Sequence, residues 1–473
     1  MKPFLRITAF LFLISCTSSN EPARLPNVVI FLADDLGYGD LGCYGNRIHQ
    51  TPHIDRLAAS GMRLTDFYVA ASVCTPTRAA LMTGCYPRRI GLHRDSKDHC
   101  VLIPGANKGL NPSEITLAEM FQKQGYATGC FGKWHLGDQK VFLPTRHGFD
   151  VYYGVPYSND MAWKERGDPP LPILMNEEII ESGTRQDSLT WKTTTQAMKF
   201  ILRNCKQPFF TYIPFNMPHN PVHASKNFSG RSKNGMYGDA IEEIDYSVGR
   251  IVDLLDSLHV LENTIILFTS DNGAARSFGG SNNPLSGWKG GNLEGGFRVP
   301  CVIFWKNRIP EKSINESFIT IMDFLPTFAE IAGFEFQYPV TIDGQSVLDL
   351  WLTNRTGNQD RAFYYYYRDQ LQAVRKGDWK LFLPLEIKQV AWDRILSEGE
   401  GQTIKLVNLR DDLQENQDLS ERFPEKVSEL INEAEIAKRI LGDEEMQGSE
   451  QRPAGWIDDA IYLKSTELQY NER

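Results

Sequence analysis

The chain has 473 residues, 41% of them hydrophobic and 23% charged, an ordinary globular composition that excludes a disordered or fibrous protein. That length accommodates one large α/β domain with a smaller companion. Fifty basic against fifty-nine acidic side chains give a net charge of −9 with no block of like charge. This argues against a nucleic-acid partner, which calls for a basic stripe, but leaves room for a few cations converging in a pocket.

At the start of the chain, Lys2 and Arg6 precede an apolar run over residues 7–14, too short to span a bilayer and shaped like a signal-peptide core. The run ends Leu13-Ile14-Ser15-Cys16 and is followed by a polar stretch. The pattern is that of a lipobox, in which cleavage before Cys16 leaves that cysteine to carry lipid; the alternative is a plain signal peptide with a chance cysteine. Residues 1–15 therefore read as a lipoprotein-type signal peptide and 16–25 as a tether. The expectation is an exported protein, periplasmic or at the cell surface, meeting the membrane by its lipid anchor only. The remaining cysteines show neither a compact disulfide framework nor zinc-site spacing.

Residues 27–33 (NVVIFLA) form a continuous apolar run, the mark of a strand buried on both faces. Similar runs recur at 126–131, 209–215, 264–269 and 300–305, and helical periodicity appears at 116–124 and 238–258. Strands alternating with helices predict an α/β fold, with a large mainly parallel sheet flanked by helices on both faces. Residues 169–172 and 279–291 interrupt the pattern as loops, and long loops are often functional. Beyond about residue 360 come short strand-like runs at 362–367, 370–375, 379–383 and 403–407, then a helical segment at 424–439. These predict a smaller C-terminal antiparallel sheet plus one helix, giving a main domain over 26–360 and a subdomain and tail over 361–473. The tail from residue 441 is polar and weakly patterned.

Polar clusters stand where four apolar runs end: Asp34-Asp35, Lys133-Trp134-His135, Pro218-His219 and Asp271-Asn272-Gly273. Ligands bind outside the carboxyl ends of the strands in open α/β sheets, so these clusters should converge. Asp34, Asp35, Asp271 and Asn272 are hard oxygen donors, suited to calcium, with magnesium as the alternative, and poorly suited to zinc. Any one Asp after a strand is as readily a helix cap or turn residue. Two adjacent carboxylates repel each other, however, and a cation between them relieves that.

Cys74-Thr75-Pro76-Thr77-Arg78 opens a helical run, placing Cys74 where free N–H groups and the helix dipole favour an anion. This C-x-P-x-R string resembles the site at which sulfatases convert cysteine to formylglycine. From about Pro26 to at least Pro300 the chain resembles a type I sulfatase of the arylsulfatase A-like group, within the alkaline phosphatase superfamily. Further strings carry the likeness: Thr51-Pro52-His53-Ile54-Asp55-Arg56-Leu57, Gly132-Lys133-Trp134-His135-Leu136-Gly137, and Lys289 ahead of Glu294-Gly295-Gly296. Thr77 stands where the family often has Ser.

The resemblance implies that a formylglycine-generating enzyme oxidises Cys74, and that the hydrated aldehyde, as one of the metal ligands, attacks the sulfur of a sulfate ester. It further implies that Arg78 holds the nucleophile and that Lys133 and Lys289 neutralise the sulfate oxygens. His219, alone or with Lys289, would protonate the leaving alcohol; His223 is an alternative ligand ranked below it. His135 would take the proton from the second hydroxyl so that sulfate is expelled, and Ser158 would hydrogen-bond the sulfate. The expected substrate is a sulfated carbohydrate or aryl sulfate. A phosphomonoester or phosphonate hydrolase is the alternative enzyme. A non-catalytic glycan binder would have lost reactive residues, and none is missing. Trp163 and Trp191 read equally as sugar-stacking or core residues and stay outside the site.

Overall fold

The run NVVIFLA forms β1, Asn27–Ala33, buried at every position. Successive side chains of a strand point to opposite faces, so Val28, Ile30 and Leu32 enter one core while Val29, Phe31 and Ala33 enter another. A strand with a core on each face must be apolar throughout. The computed structural model describes residues 24–336, 341–357, 360–391 and 401–463, so the expected signal peptide and Cys16 lie outside the described residues.

Nine further strands complete the main sheet: β2 (Met62–Leu64), β3 (Ala127–Phe131), β4 (Val151–Gly154), β5 (Pro172–Met175), β6 (Glu178–Ser182), β7 (Phe209–Pro214), β8 (Thr264–Ser270), β9 (Cys301–Trp305) and β10 (Ser313–Asn315). Their order is β10-β2-β9-β8-β1-β7-β3-β4-β5-β6. The five central strands, β8 through β4, are parallel. Residues 300–305, read with the other apolar runs, form β9 antiparallel to β8. The chain leaves β8 at the site end, loops there and returns from the same end, which dictates an antiparallel partner. Residues 169–172 are also not wholly loop: Pro172 begins β5, the strand position at which a missing N–H is tolerated.

Helices α1 (Pro52–Ala59), α4 (Leu189–Asn204) and α5 (Gly235–Ser257) pack on one face, and α2 (Cys74–Thr83), α3 (Leu117–Lys123) and α6 (Phe324–Ala332) on the other. The start of α3 is set by a capping box, with Glu119 N–H donating to Thr116 Oγ1 at 3.0 Å and Thr116 N–H to Glu119 at 2.9 Å. Sheet register fixes the site's location. Ala33 lies opposite Ser270, and Leu32 opposite Pro214, so β1, β7 and β8 end at one level with their polar clusters just beyond.

Past residue 361, β11 (Ala362–Tyr367), β12 (Gln370–Lys376), β13 (Trp379–Phe382) and β14 (Lys405–Asn408) form an antiparallel sheet in that order, with α7 (Pro424–Leu441) packed on it. Its apolar face is continuous with the core holding α2 and α3. The described part of the tail, to residue 463, is more ordered than its composition suggests. Gly442–Asp443 pairs with Met446–Gln447, and Gly455–Trp456 pairs with Lys108–Gly109 of the main domain.

A buried ionic cluster joins the two sheets. Lys380 on β13 donates to Glu294 at 2.9 Å, to Glu415 at 2.7 Å and to the carbonyl of Asn292 at 2.8 Å. Glu294 also accepts from the hydroxyls of Tyr365, at 2.8 Å, and Tyr68. Burial works against both carboxylates, but Lys380, Arg375 and Arg298 hold Glu294 below the ordinary range, whereas Glu415 is pushed above it. Removing one partner of such a cluster leaves an uncompensated buried charge. Lys380→Met is expected to lower unfolding free energy by about 3–5 kcal/mol in urea titrations. A loss under about 1 kcal/mol would show that the cluster does not hold the C-terminal sheet in place.

Candidate active site

Beyond β1 the chain turns sharply at Asp35, whose φ of 67° is in the left-handed region that Asp adopts more readily than most residues. Three bonds hold the turn: Asp35 N–H to Asp271 Oδ1 at 3.2 Å, Asn272 Nδ2 to Asp35 Oδ1 at 2.7 Å, and Tyr237 O–H to the Asp35 carbonyl at 3.1 Å. Two glycines let the neighbouring segments approach. A Cβ on Gly132 would lie 1.8 Å from the Pro214 carbonyl, and one on Gly273 would lie 1.7 Å from that of Gly295. The G-K-W-H and D-N-G strings thus need glycine for close backbone contact.

Each buried carboxylate has its own cation. Lys133 Nζ donates to Asp34 Oδ2 at 2.6 Å, Lys289 Nζ to Asp35 Oδ2 at 2.9 Å, and Arg78 to Asp271 Oδ2 through Nε at 3.0 Å and Nη2 at 2.7 Å. Arg78 Nη2 also stands 3.7 Å from Asp34, and its Nη1 donates to the Lys133 carbonyl at 2.9 Å, tying two strand ends together. Burial opposes ionisation of Asp34 and Asp35, yet the cations and His219 hold both below the ordinary carboxylate range. Burial and the neighbouring Asp34 push Asp271 upward against Arg78. Burial likewise opposes the charges on Lys133 and Lys289, and Asp34 and Asp35 respectively outweigh it, raising both amines.

Cys74 is the first residue of α2, every residue of which is buried. Its thiol donates to Asp34 Oδ1 at 3.6 Å. Burial pushes this thiol far above its ordinary range despite Lys133 and Lys289, so the unmodified side chain is protonated at neutral pH and a poor nucleophile.

The α2 helix is also tied to His135. Thr75 Oγ1 donates to the His135 carbonyl at 3.0 Å, and Leu102 N–H donates to that hydroxyl at 3.2 Å. His135 Nε2 lies 2.9 Å from the Leu102 carbonyl, a partner that requires the proton on Nε2. Its Nδ1 is then a bare acceptor, buried with no hydrogen-bond partner. Burial, Lys133 and Arg78 push this imidazole well below the ordinary histidine range, keeping it neutral. His219 faces the carboxylates from the end of β7, with Nδ1 at 2.5 Å from the Asn220 carbonyl and Nε2 3.8 Å from Asp35. Ser158 accepts from Lys133 at 3.2 Å.

The structure therefore brings together Asp34, Asp35, Cys74, Arg78, Lys133, His135, Ser158, His219, Asp271, Asn272 and Lys289. Ligand atoms of Asp34, Asp35, Cys74 and His219 all lie within 4.8 Å of one another; the expected ligand Asp271, engaged with Arg78, is outside that group, as is His223. Asn272 Oδ1 is buried and unpartnered, a hard acceptor that a cation would satisfy. With the oxygen donors beside it, this set fits a divalent cation. The three carboxylates are already balanced by Arg78, Lys133 and Lys289, so a divalent ion would leave a positive surplus suited to an anionic substrate. Ser270, read as just past its strand, also serves the site: its Oγ accepts from Leu36 N–H at 3.0 Å and donates to the Asn272 carbonyl at 2.8 Å. Only its position beside Asp271 signalled it. Trp163 and Trp191 are exposed, each beneath an arginine, Arg166 at 4.9 Å and Arg250 at 4.2 Å.

The chain matches the sulfatase family over residues 26–334, and the C-terminal region of N-sulphoglucosamine sulphohydrolase over residues 290–435. It is similar to human N-acetylgalactosamine-6-sulfatase, 37% identical over 371 residues, covering 75% of this chain and 71% of that protein. Human arylsulfatase A is 37% identical over 395 residues, covering 78% and 76%. Among solved structures, Ps i-CgsB in complex with k-i-k-neocarrahexaose superposes with a TM-score of 0.76 at 28% identity, covering 95% of this chain and 97% of that one. The phosphonate monoester hydrolase of Agrobacterium radiobacter, at 18% identity and a TM-score of 0.58, shares the fold.

An ion held only by the folded site stabilises it by mass action. Calcium at a hundredfold excess over its dissociation constant should contribute about 2.7 kcal/mol, seen as a chelator-sensitive rise in Tm. Equal Tm values with calcium and with chelator would exclude calcium at this site, and the same comparison with magnesium would exclude the alternative.

Proposed function

The chain belongs to the sulfatase family, and we propose that it removes sulfate from a sulfated glycan or its fragments using a formylglycine made from Cys74. It is a sulfuric ester hydrolase. The observation that carries the mechanistic reading is the position of Cys74: first in a buried helix, its thiol 3.6 Å from Asp34 amid three buried cations, and too firmly protonated to act as a thiolate. Oxidation to formylglycine would replace that thiol with an aldehyde whose hydrate carries two hydroxyls. A cation held by Asp34, Asp35, Asp271 and Asn272, calcium by the donor chemistry, supplies the Lewis acidity that lowers a hydroxyl's pKa.

The chain's own groups divide the remaining work. Lys133 and Lys289 are placed to bind sulfate oxygens, with Ser158 beside Lys133. Arg78 spans Asp34 and Asp271 and keeps both carboxylates in position. His219, beside Asp35, gives a proton to the leaving oxygen. His135 holds an unoccupied Nδ1 in a neutral ring and takes the proton from the hydroxyl remaining on residue 74. A phosphomonoester or phosphonate substrate is not favoured, because the phosphonate monoester hydrolase likeness supports the fold alone.

A glycan substrate is supported by the relatives named for N-acetylgalactosamine 6-sulfate and by the neocarrahexaose complex of a structural neighbour. Maturation requires a formylglycine-generating enzyme. No helix among the described residues is long and apolar enough to cross a membrane. Export with lipidation at Cys16 fits the leader pattern.

Cys74→Ser offers one hydroxyl where the hydrate offers two, so a transferred sulfate has no neighbouring hydroxyl to expel it. The variant is expected to take up one sulfate per chain from 4-nitrophenyl sulfate, visible by intact mass spectrometry, and then to stop. Sustained turnover by Cys74→Ser at the wild-type rate would overturn the mechanism.

A further inference from the structure

The segment between β8 and β9 carries more than Lys289. Its first part is fastened to its last: Lys289 N–H donates to the Ala274 carbonyl at 3.0 Å, while the Asn282 side chain accepts from Ala274 N–H at 2.9 Å and donates to its carbonyl at 3.3 Å. The far end is fastened to the residues before α2, through Gly290 N–H to the Ser72 carbonyl at 2.8 Å. Arg276 stands two residues from this anchored Ala274. It lines, with Trp288, Lys289 and Leu293, a cleft of about 130 Å³.

Arg276 differs from the other cations here. Arg78, Lys133 and Lys289 are buried and each is paired with a carboxylate. Arg276 is exposed, and among the described residues no carboxylate lies within ion-pair distance of it. A guanidinium presents a planar fork that matches the oxygens of a sulfate or carboxylate. The half-buried Trp288 on the same wall offers an aromatic surface to the apolar face of a sugar ring.

We propose that Arg276 is a specificity residue that binds a second anionic group of the substrate, a sulfate or a carboxylate, while the scissile sulfate is held at Lys289 and Lys133. The inference rests on the sulfate-ester reading of the site and adds to it that the preferred substrate is polyanionic. Cleavage of a singly charged aryl sulfate needs only the inner cations, whereas a polysulfated or uronate-bearing oligosaccharide engages the cleft as well.

The test is competitive inhibition of 4-nitrophenyl sulfate hydrolysis in the matured enzyme and in Arg276→Gln. Three inhibitors are compared: inorganic sulfate, dextran-sulfate oligosaccharides and oligogalacturonate. The expected result is a weakening of about tenfold for an oligosaccharide in Arg276→Gln relative to inorganic sulfate, the size of one charge-assisted contact, with only partial recovery in Arg276→Lys, which restores the charge without the fork. Selective weakening of dextran sulfate identifies the second group as a sulfate, and of oligogalacturonate as a carboxylate. The proposal is overturned if neither oligosaccharide inhibits the wild type more tightly than sulfate does, or if Arg276→Gln weakens all three alike or none. A matured wild type inert toward 4-nitrophenyl sulfate would instead overturn the sulfatase mechanism itself.

Discussion

Three buried carboxylates facing three buried cations form the constraint on which the remainder of this protein depends. Asp34, Asp35 and Asp271 are paired with Lys133, Lys289 and Arg78 at the carboxyl ends of adjacent parallel strands and on the helix and loop above them. No charge in this set tolerates burial alone, because removing a partner strands an ion in a low-dielectric interior. The cations come from three distant stretches of chain, so the pairing is complete only when the sheet is in register and α2 is seated. A protein that folds has thereby assembled its site.

The same logic extends outward. Lys380, from the C-terminal sheet, neutralises Glu294 and Glu415 and bonds the carbonyl of Asn292. Asn292 and Glu294 lie three and five residues beyond Lys289, and Gly290 is bonded to Ser72, two residues before Cys74. The C-terminal sheet is therefore a brace for the segment that presents Lys289 and Arg276. The small sheet shares a core with α2 and α3, and among its described residues none joins the cluster around Asp34, Asp35 and Asp271.

Much of this was legible in the sequence for identifiable reasons. The runs at 27–33, 209–215 and 264–269 became the central strands Asn27–Ala33, Phe209–Pro214 and Thr264–Ser270, with cores on both faces, so they are unbroken. The C-x-P-x-R string and the strand-end clusters pointed to residues that the fold brings together, because each position calls for a particular chemical group. The edge of the sheet was silent. Glu178–Ser182 is half exposed, carries Glu178 and Glu181, and becomes a strand by pairing with its neighbour. Helix α2 was read from its opening string and not from an amphipathic stripe, since all ten of its residues are buried.

By itself, then, the sequence determined the residue types at the strand ends, the alternation of strand and helix, and the cysteine at the head of α2, because those depend on local pattern and spacing. Only the tertiary structure decided which carboxylate meets which cation, that β9 returns antiparallel, that Ser270 and Tyr237 support the turn at Asp35, and that Lys380 reaches Glu294 across 86 residues. Those contacts join residues far apart in the chain. Their geometry follows from sheet register and the packing of two cores, which no local window of sequence contains.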